Sequence, residues 1–138
     1  ECSPEPHNPD YSYYEGADCT NYASQVLHAG GYPFRGWNKY SIFHWFPDSR
    51  TWTYAPDLNQ YFSQYETEFA YRSWPTDLDR GDIFLQDWPP GDGIPDHAAV
   101  IVGQGGGLRD QHSGPRKRVA WDYMMPEGTA YWSWQVVW

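Results

Sequence analysis

Cys19 lies where a side chain could do covalent chemistry, at the start of a stretch whose spacing predicts a helix. Asp18 before it is a favoured N-cap residue. The unpaired N–H groups and the dipole at a helix N-terminus favour negative charge, so the thiol is expected to have a lowered pKa and to act as a nucleophile. A second interpretation stays open: Cys19 is a small buried residue, or one half of a disulfide with Cys2.

His97 is the candidate base. It opens a predicted buried strand directly after the Gly- and Pro-rich loop 89–96. A side chain at the end of a strand is held steadily, which suits a catalytic base, although a histidine there is also commonly structural. Asp96 is expected to point to the opposite face of the strand and therefore not to orient the imidazole.

A third residue could orient that imidazole from the next predicted strand. If strands 97–102 and 108–113 pair as a hairpin around the turn at Gly105-Gly106-Gly107, His112 lies opposite a position close to His97. His112 could then bond one ring nitrogen and leave the other for Cys19. If the register shifts by one residue, Gln111 or Asp110 takes that place.

Short motifs surround these residues over most of the chain, in the order cysteine, histidine, polar residue. They are Asn8-Pro9-Asp10-Tyr11, Asp18-Cys19-Thr20-Asn21-Tyr22-Ala23-Ser24-Gln25, Ala29-Gly30-Gly31-Tyr32-Pro33, Arg80-Gly81-Asp82-Ile83, Asp96-His97-Ala98-Ala99-Val100 and Gln111-His112-Ser113. Together they resemble the amidase domains of the NlpC/P60-like, papain-type cysteine hydrolases. The stretch 37–74 matches only through scattered aromatic residues, so the substrate specificity of that family does not carry over.

The resemblance implies a papain-like α+β fold, with N-terminal helices packed on an antiparallel sheet, and a two-step acyl transfer. Cys19 would attack an amide carbonyl, its backbone N–H would help to hold the oxyanion, and His97 would pass the proton to the leaving amine. His112 would orient His97, and Tyr13 or Tyr14 could add a second oxyanion donor. The implied function is a secreted cysteine amide hydrolase acting on peptide or peptidoglycan-type bonds, and Cys2 has no role in it.

Two other functions are compatible with the same residues. In one, Cys19 is structural and the aromatic side chains bind glycans or peptides without chemistry. In the other, the same cysteine and histidine transfer the acyl group to an amine rather than to water.

Composition excludes several classes of function. The 138 residues carry a net charge of −9, which argues against a nucleic-acid partner. The longest aliphatic run, 98–102, is far shorter than the about 20 residues of a membrane-spanning helix. No cationic leader opens the sequence. The length predicts a single domain over 1–138, which we expect to be a monomer. The resemblance implies a secreted protein, extracellular or associated with the cell wall.

No metal or cofactor is expected. His97, His112 and Asp110 could in principle bind a metal ion, but the sequence has neither an HExxH helix nor paired cysteines.

The elements that must position these residues are predicted from spacing. The 27 aromatic residues outnumber the 15 Leu, Ile and Val, so the core must be built largely from rings. Helices are predicted at 18–30 and 56–66, separated by an irregular stretch, 32–55, with room for one helical turn. Strands are predicted at 69–71, 82–86, 97–102, 108–113, 119–123 and 131–138. Helices followed by a β-meander give an α+β fold.

Overall fold

The computed structural model describes residues 8–14, 17–103, 108–111, 116–120, 122 and 125–138. Its helices are α1 (Cys19–Ala29), α2 (Arg50–Thr53) and α3 (Ala55–Gln64), and a short 3₁₀ helix covers Pro75–Asp77. Its strands are β1 (Phe69–Arg72), β2 (Ile83–Asp87), β3 (His97–Ile101), β4 (Leu108–Gln111), β5 (Arg116–Ala120) and β6 (Ala130–Val136). The three α-helices precede all the strands, which confirms the α+β prediction. No helix among the described residues is long and apolar enough to cross a membrane.

Helix α1 begins and ends where the sequence predicts, but its first turn is held differently. It stops at the Gly30-Gly31 pair, where Gly31 adopts a φ of 109° that glycine tolerates without strain. Asp18 occupies the N-cap position, yet its carboxylate accepts no helix N–H. It accepts instead from the side chain of Asn21 at 2.7 Å and from the backbone of Tyr14 at 3.1 Å. Asp18 thus ties the entering chain to the helix rather than capping it.

The buried polar face of α1 binds two tryptophans. The indole N–H of Trp52 donates to Asn21 Oδ1 at 2.6 Å, and Ser24 Oγ donates to the backbone carbonyl of Trp52 at 2.9 Å. The indole of Trp45 donates to the same Ser24 hydroxyl at 3.3 Å. Trp45 and Trp52 are both fully buried, and a buried indole N–H requires such a partner. Asn21 and Ser24 therefore fasten the aromatic residues of the irregular stretch to α1.

Helix α2 lies near the end of that stretch, and only Tyr54 separates it from α3. The single turn of α2 is the one turn that the sequence left room for within 32–55. Pro56 lies in the first turn of α3, where its missing N–H costs nothing. The predicted second helix is thereby confirmed to within two residues at its end.

The six strands form one antiparallel sheet in the order β1-β6-β2-β3-β4-β5. The prediction of a simple meander is wrong, because the last strand inserts between β1 and β2. Trp134 of β6 packs on Phe62 of α3 and on Tyr71 of β1, and these apolar contacts stabilise the strand in that position. Strand pairing depends on such contacts between distant segments, and the spacing within one strand does not encode them.

Strands β2 and β3 form the centre of the molecule. Every residue of both is buried, which confirms burial of β3 on both faces. One face packs with α1 and α3 through Leu85 and Val100, and the other packs with Leu78 and Met125. The first residue of β3 is therefore anchored to a rigid support.

We predict that Asn21→Ala lowers the free energy of unfolding by about 2–3 kcal/mol, because it leaves the buried Trp52 indole N–H without its acceptor and removes one donor from the Asp18 carboxylate. Urea unfolding followed by tryptophan fluorescence measures the change. Asn59→Ala is the matched control, since Asn59 also accepts an indole N–H, from Trp134 at 2.9 Å, in a partly buried position. A loss for Asn21→Ala no larger than for Asn59→Ala contradicts the role given to this network.

Candidate active site

Cys19 is the first residue of α1 and carries a free thiol. Its sulfur lies 3.7 Å from the hydroxyl of Thr20. The backbone N–H of Ala98, the second residue of β3, also lies against the sulfur and favours its charged form. The N-terminus of the helix thus meets the start of the central strand at the candidate nucleophile. Cys2, the disulfide partner in the non-catalytic interpretation, lies outside the described residues.

A cavity of about 480 Å³ opens at this junction and has both Cys19 and His97 in its wall. Tyr54 borders it on the helical side, and the loop between β2 and β3 borders it through Trp88 and Asp96. A second cavity of about 440 Å³ adjoins the first along Tyr54. The two candidate residues therefore line one cleft.

His97 is held on two sides. It is 2 % exposed, and its ring stacks on the indole of Trp88 with 5.1 Å between centroids. Gln86 lies directly opposite it on β2, so the two side chains share one face of the sheet. The indole N–H of Trp88 donates to Gln86 Oε1 at 2.8 Å, which links the two neighbours of the imidazole.

Sequence reasoning missed Gln86 and Trp88. Gln86 could have been identified from the sequence. It is a polar residue directly after the apolar run Ile83-Phe84-Leu85, and a polar side chain in a buried strand requires a hydrogen-bond partner. Its Nε2 is buried and has no hydrogen-bond partner among the described residues. Trp88 gave no signal, since stacking on a ring nine residues along the chain depends on the path of the intervening loop.

Asp96, which we expected to point away from His97, lies beside it in the wall of the cavity. Its Oδ2 accepts the backbone N–H of Trp88 at 2.9 Å and so holds the two ends of the loop together.

Two of the three residues predicted to orient the imidazole, Gln111 and Asp110, belong to β4. His112 lies outside the described residues, and Gln111 is described through its backbone in β4. The register pairs Asp110 with Val100, three residues beyond His97 and about 10 Å along the strand. This odd offset puts Asp110 on the opposite face from His97, which does not favour it as the orienting residue. Neither His97 nor Asp110 belongs to a cluster with metal-ligand spacing in the described part of the chain.

Of the two tyrosines predicted as oxyanion donors, Tyr14 already has a hydrogen-bond partner for its hydroxyl. The hydroxyl of Tyr14 donates to Asp48 Oδ1, and burial together with this bond raises the pKa of Tyr14. Tyr14 is thus committed to a carboxylate and is a poor donor to a substrate. Tyr13 is half-buried and engaged in contacts of its own.

The expected low pKa of the Cys19 thiol is wrong for the folded protein. Burial raises the pKa above its ordinary value, and the N–H of Ala98 and the hydroxyl and N–H of Thr20 offset only part of that rise. The neighbouring Asp18 carboxylate raises it further. The loss of hydration of a small buried anion outweighs these hydrogen bonds, so the pKa of the thiol lies above its ordinary value.

We predict that the pH midpoint for alkylation of Cys19 by iodoacetamide is higher in the folded protein than in the same protein unfolded in urea. A raised folded pKa means that the thiolate fraction near pH 8 is smaller in the folded state. The measurement uses a Cys2→Ser background so that one thiol reports. A folded midpoint below the unfolded one contradicts the dominance of burial.

Comparison with known proteins identifies the family of this chain. Residues 3–136 match the family described as "Putative amidase domain". Over 100 residues the chain is 34 % identical to the "Uncharacterized protein YhbB" of Bacillus subtilis (strain 168). That alignment covers 69 % of this chain and 32 % of the relative, so the chain spans about a third of the relative's length. No solved structure matches. The match over nearly the whole chain shows that this protein belongs to the amidase domain family of that description.

Proposed function

We propose that this amidase domain is a cysteine hydrolase of amide bonds, with Cys19 as nucleophile and His97 as base. The observation that carries the proposal is that both residues line one cavity, at the contact between the N-terminus of α1 and the start of β3. A cysteine at a helix N-terminus and a histidine at a strand start in the wall of one cavity also support an NlpC/P60-like, papain-type core.

The first half-reaction forms a thioester. His97 removes the proton of the Cys19 thiol as the sulfur attacks the amide carbonyl carbon, and the backbone N–H of Cys19 stabilises the oxyanion. The carbon–nitrogen bond then breaks, and the imidazolium returns the proton to the leaving amine. Because the thiol has a raised pKa, the base is required at the moment of attack and the free enzyme does not store a thiolate.

The second half-reaction releases the acid. His97 takes a proton from a water molecule as the water oxygen attacks the thioester carbon. The sulfur–carbon bond then breaks, and the proton returns from the imidazolium to the Cys19 sulfur. The His97 ring must keep one orientation through both halves. Trp88 and Gln86 lie beside it, and His112, which is outside the described residues, is the residue we propose to orient the imidazole.

The substrate is a peptide or peptidoglycan-type amide, and the domain works as a secreted or cell-wall-associated protein. The joined cavities suit an extended substrate rather than a small amide. Trp88 is 37 % exposed and Tyr54 48 % exposed at the cleft. Their flat faces can pack on the apolar parts of a peptide or on a sugar ring.

We predict that Cys19→Ala and His97→Ala each lower the cleavage of amide bonds in purified peptidoglycan by at least about a thousandfold, because each removes an indispensable group. Mass spectrometry of the released fragments measures cleavage and identifies the bond. His44→Ala is the matched control, since His44 lies outside the cavity and binds the backbone N–H of Trp37 and Asn38. That variant keeps its activity.

Three results would contradict the proposal or redirect it. Full cleavage by Cys19→Ala removes the cysteine mechanism. Retention of peptidoglycan by wild type and Cys19→Ala alike, without cleavage, indicates a binding module. Products that carry an added amine in place of a free acid indicate acyl transfer.

A further inference from the structure

Three carboxylates converge on the loop that joins β2 to β3. Asp87 ends β2, Asp92 lies in the middle of the loop, and Asp96 directly precedes His97. One oxygen from each lies within 4.8 Å of the others. The segment 87–96 contains no lysine or arginine to balance them. Like charges at this separation repel each other strongly when water is excluded.

Water is excluded from the innermost of the three. Asp87 is 2 % exposed, and its Oδ2 accepts the backbone N–H of Gly93 at 2.8 Å. Its Oδ1 is buried and has no hydrogen-bond partner among the described residues. A Cβ at Gly91 would approach Asp87 Oδ2 to 3.3 Å, so glycine allows the loop to wrap closely around this carboxylate. A buried carboxylate oxygen without a donor is costly unless a cation or a proton compensates it.

We infer that Asp87, Asp92 and Asp96 bind a hard divalent cation of the calcium class. All three ligands are carboxylate oxygens, the donors that calcium prefers over softer metals. Two oxygens on one Ca²⁺ lie at most about 4.8 Å apart, because each Ca–O distance is about 2.4 Å. The cluster meets that limit, and bound water completes the coordination.

The position of this site gives the cation a structural effect on the cleft. Asp96 Oδ2 accepts a hydrogen bond from the backbone N–H of Trp88, and the Trp88 indole stacks on the His97 ring. Asp92 and Asp96 also lie in the wall of the cavity. A cation that fixes the three carboxylates therefore fixes the loop that forms one side of the cleft.

The test is calcium binding by the metal-stripped protein. After EDTA treatment and desalting, isothermal titration calorimetry with CaCl₂ is expected to show one site. Saturating Ca²⁺ is expected to raise the thermal unfolding midpoint by roughly 5 °C or more, with Mg²⁺ markedly less effective. Asp92→Asn, which changes an exposed ligand and leaves the core intact, weakens Ca²⁺ binding at least about tenfold. Glu66→Gln is the matched control, because it removes an exposed carboxylate outside the loop.

Several outcomes overturn the inference. One is the absence of both heat and a thermal shift at 10 mM Ca²⁺, a concentration roughly tenfold above the weakest protein calcium sites. Equal effects of Asp92→Asn and Glu66→Gln indicate non-specific binding, and equal binding of Mg²⁺ removes the assignment to calcium. Stabilisation by mild acid in place of Ca²⁺ shows that a shared proton compensates the carboxylates. Cys19→Ala must bind Ca²⁺ as wild type does, so failure of the hydrolase proposal is distinguishable from failure of this one.

Discussion

The contact between the N-terminus of α1 and the first residues of β3 determines the rest of the site. It brings the Cys19 sulfur against the backbone N–H of Ala98, one residue from the candidate base. The contact is rigid on both sides, since β3 is buried throughout and α1 packs on its inner face. A thiol on a loop would lose this geometry through small backbone motions, whereas two packed elements preserve it.

The aromatic core explains why the helix carries so many polar residues. Rings supply large buried area to a chain poor in aliphatic side chains, but every buried indole N–H needs an acceptor. Asn21 and Ser24 provide those acceptors for Trp52 and Trp45. The polar residues of the motif around Cys19 thus stabilise the fold, whereas Cys19 itself lines the cleft.

Burial has opposite effects on the two parts of the site. It holds His97 firmly between Trp88 and the neighbouring strand, which favours a fixed proton path. It also makes a thiolate at Cys19 costly and raises the pKa of the thiol. In the proposed mechanism a thiol with a raised pKa depends on a nearby base, and His97 lines the same cavity as Cys19.

The sequence by itself determined the elements whose signal is local. The apolar spacing of α1 with its terminal glycines, the apolar runs of β2 and β3, and the motifs around Cys19 and His97 could all be read from neighbouring residues. Only the tertiary structure decided the insertion of β6 between β1 and β2, the bonding of Asp18 to Asn21, and the raised pKa of the thiol. It alone brought Gln86 and Trp88 to the imidazole. These features depend on desolvation and on contacts between residues far apart in the chain, and local spacing carries no information about either.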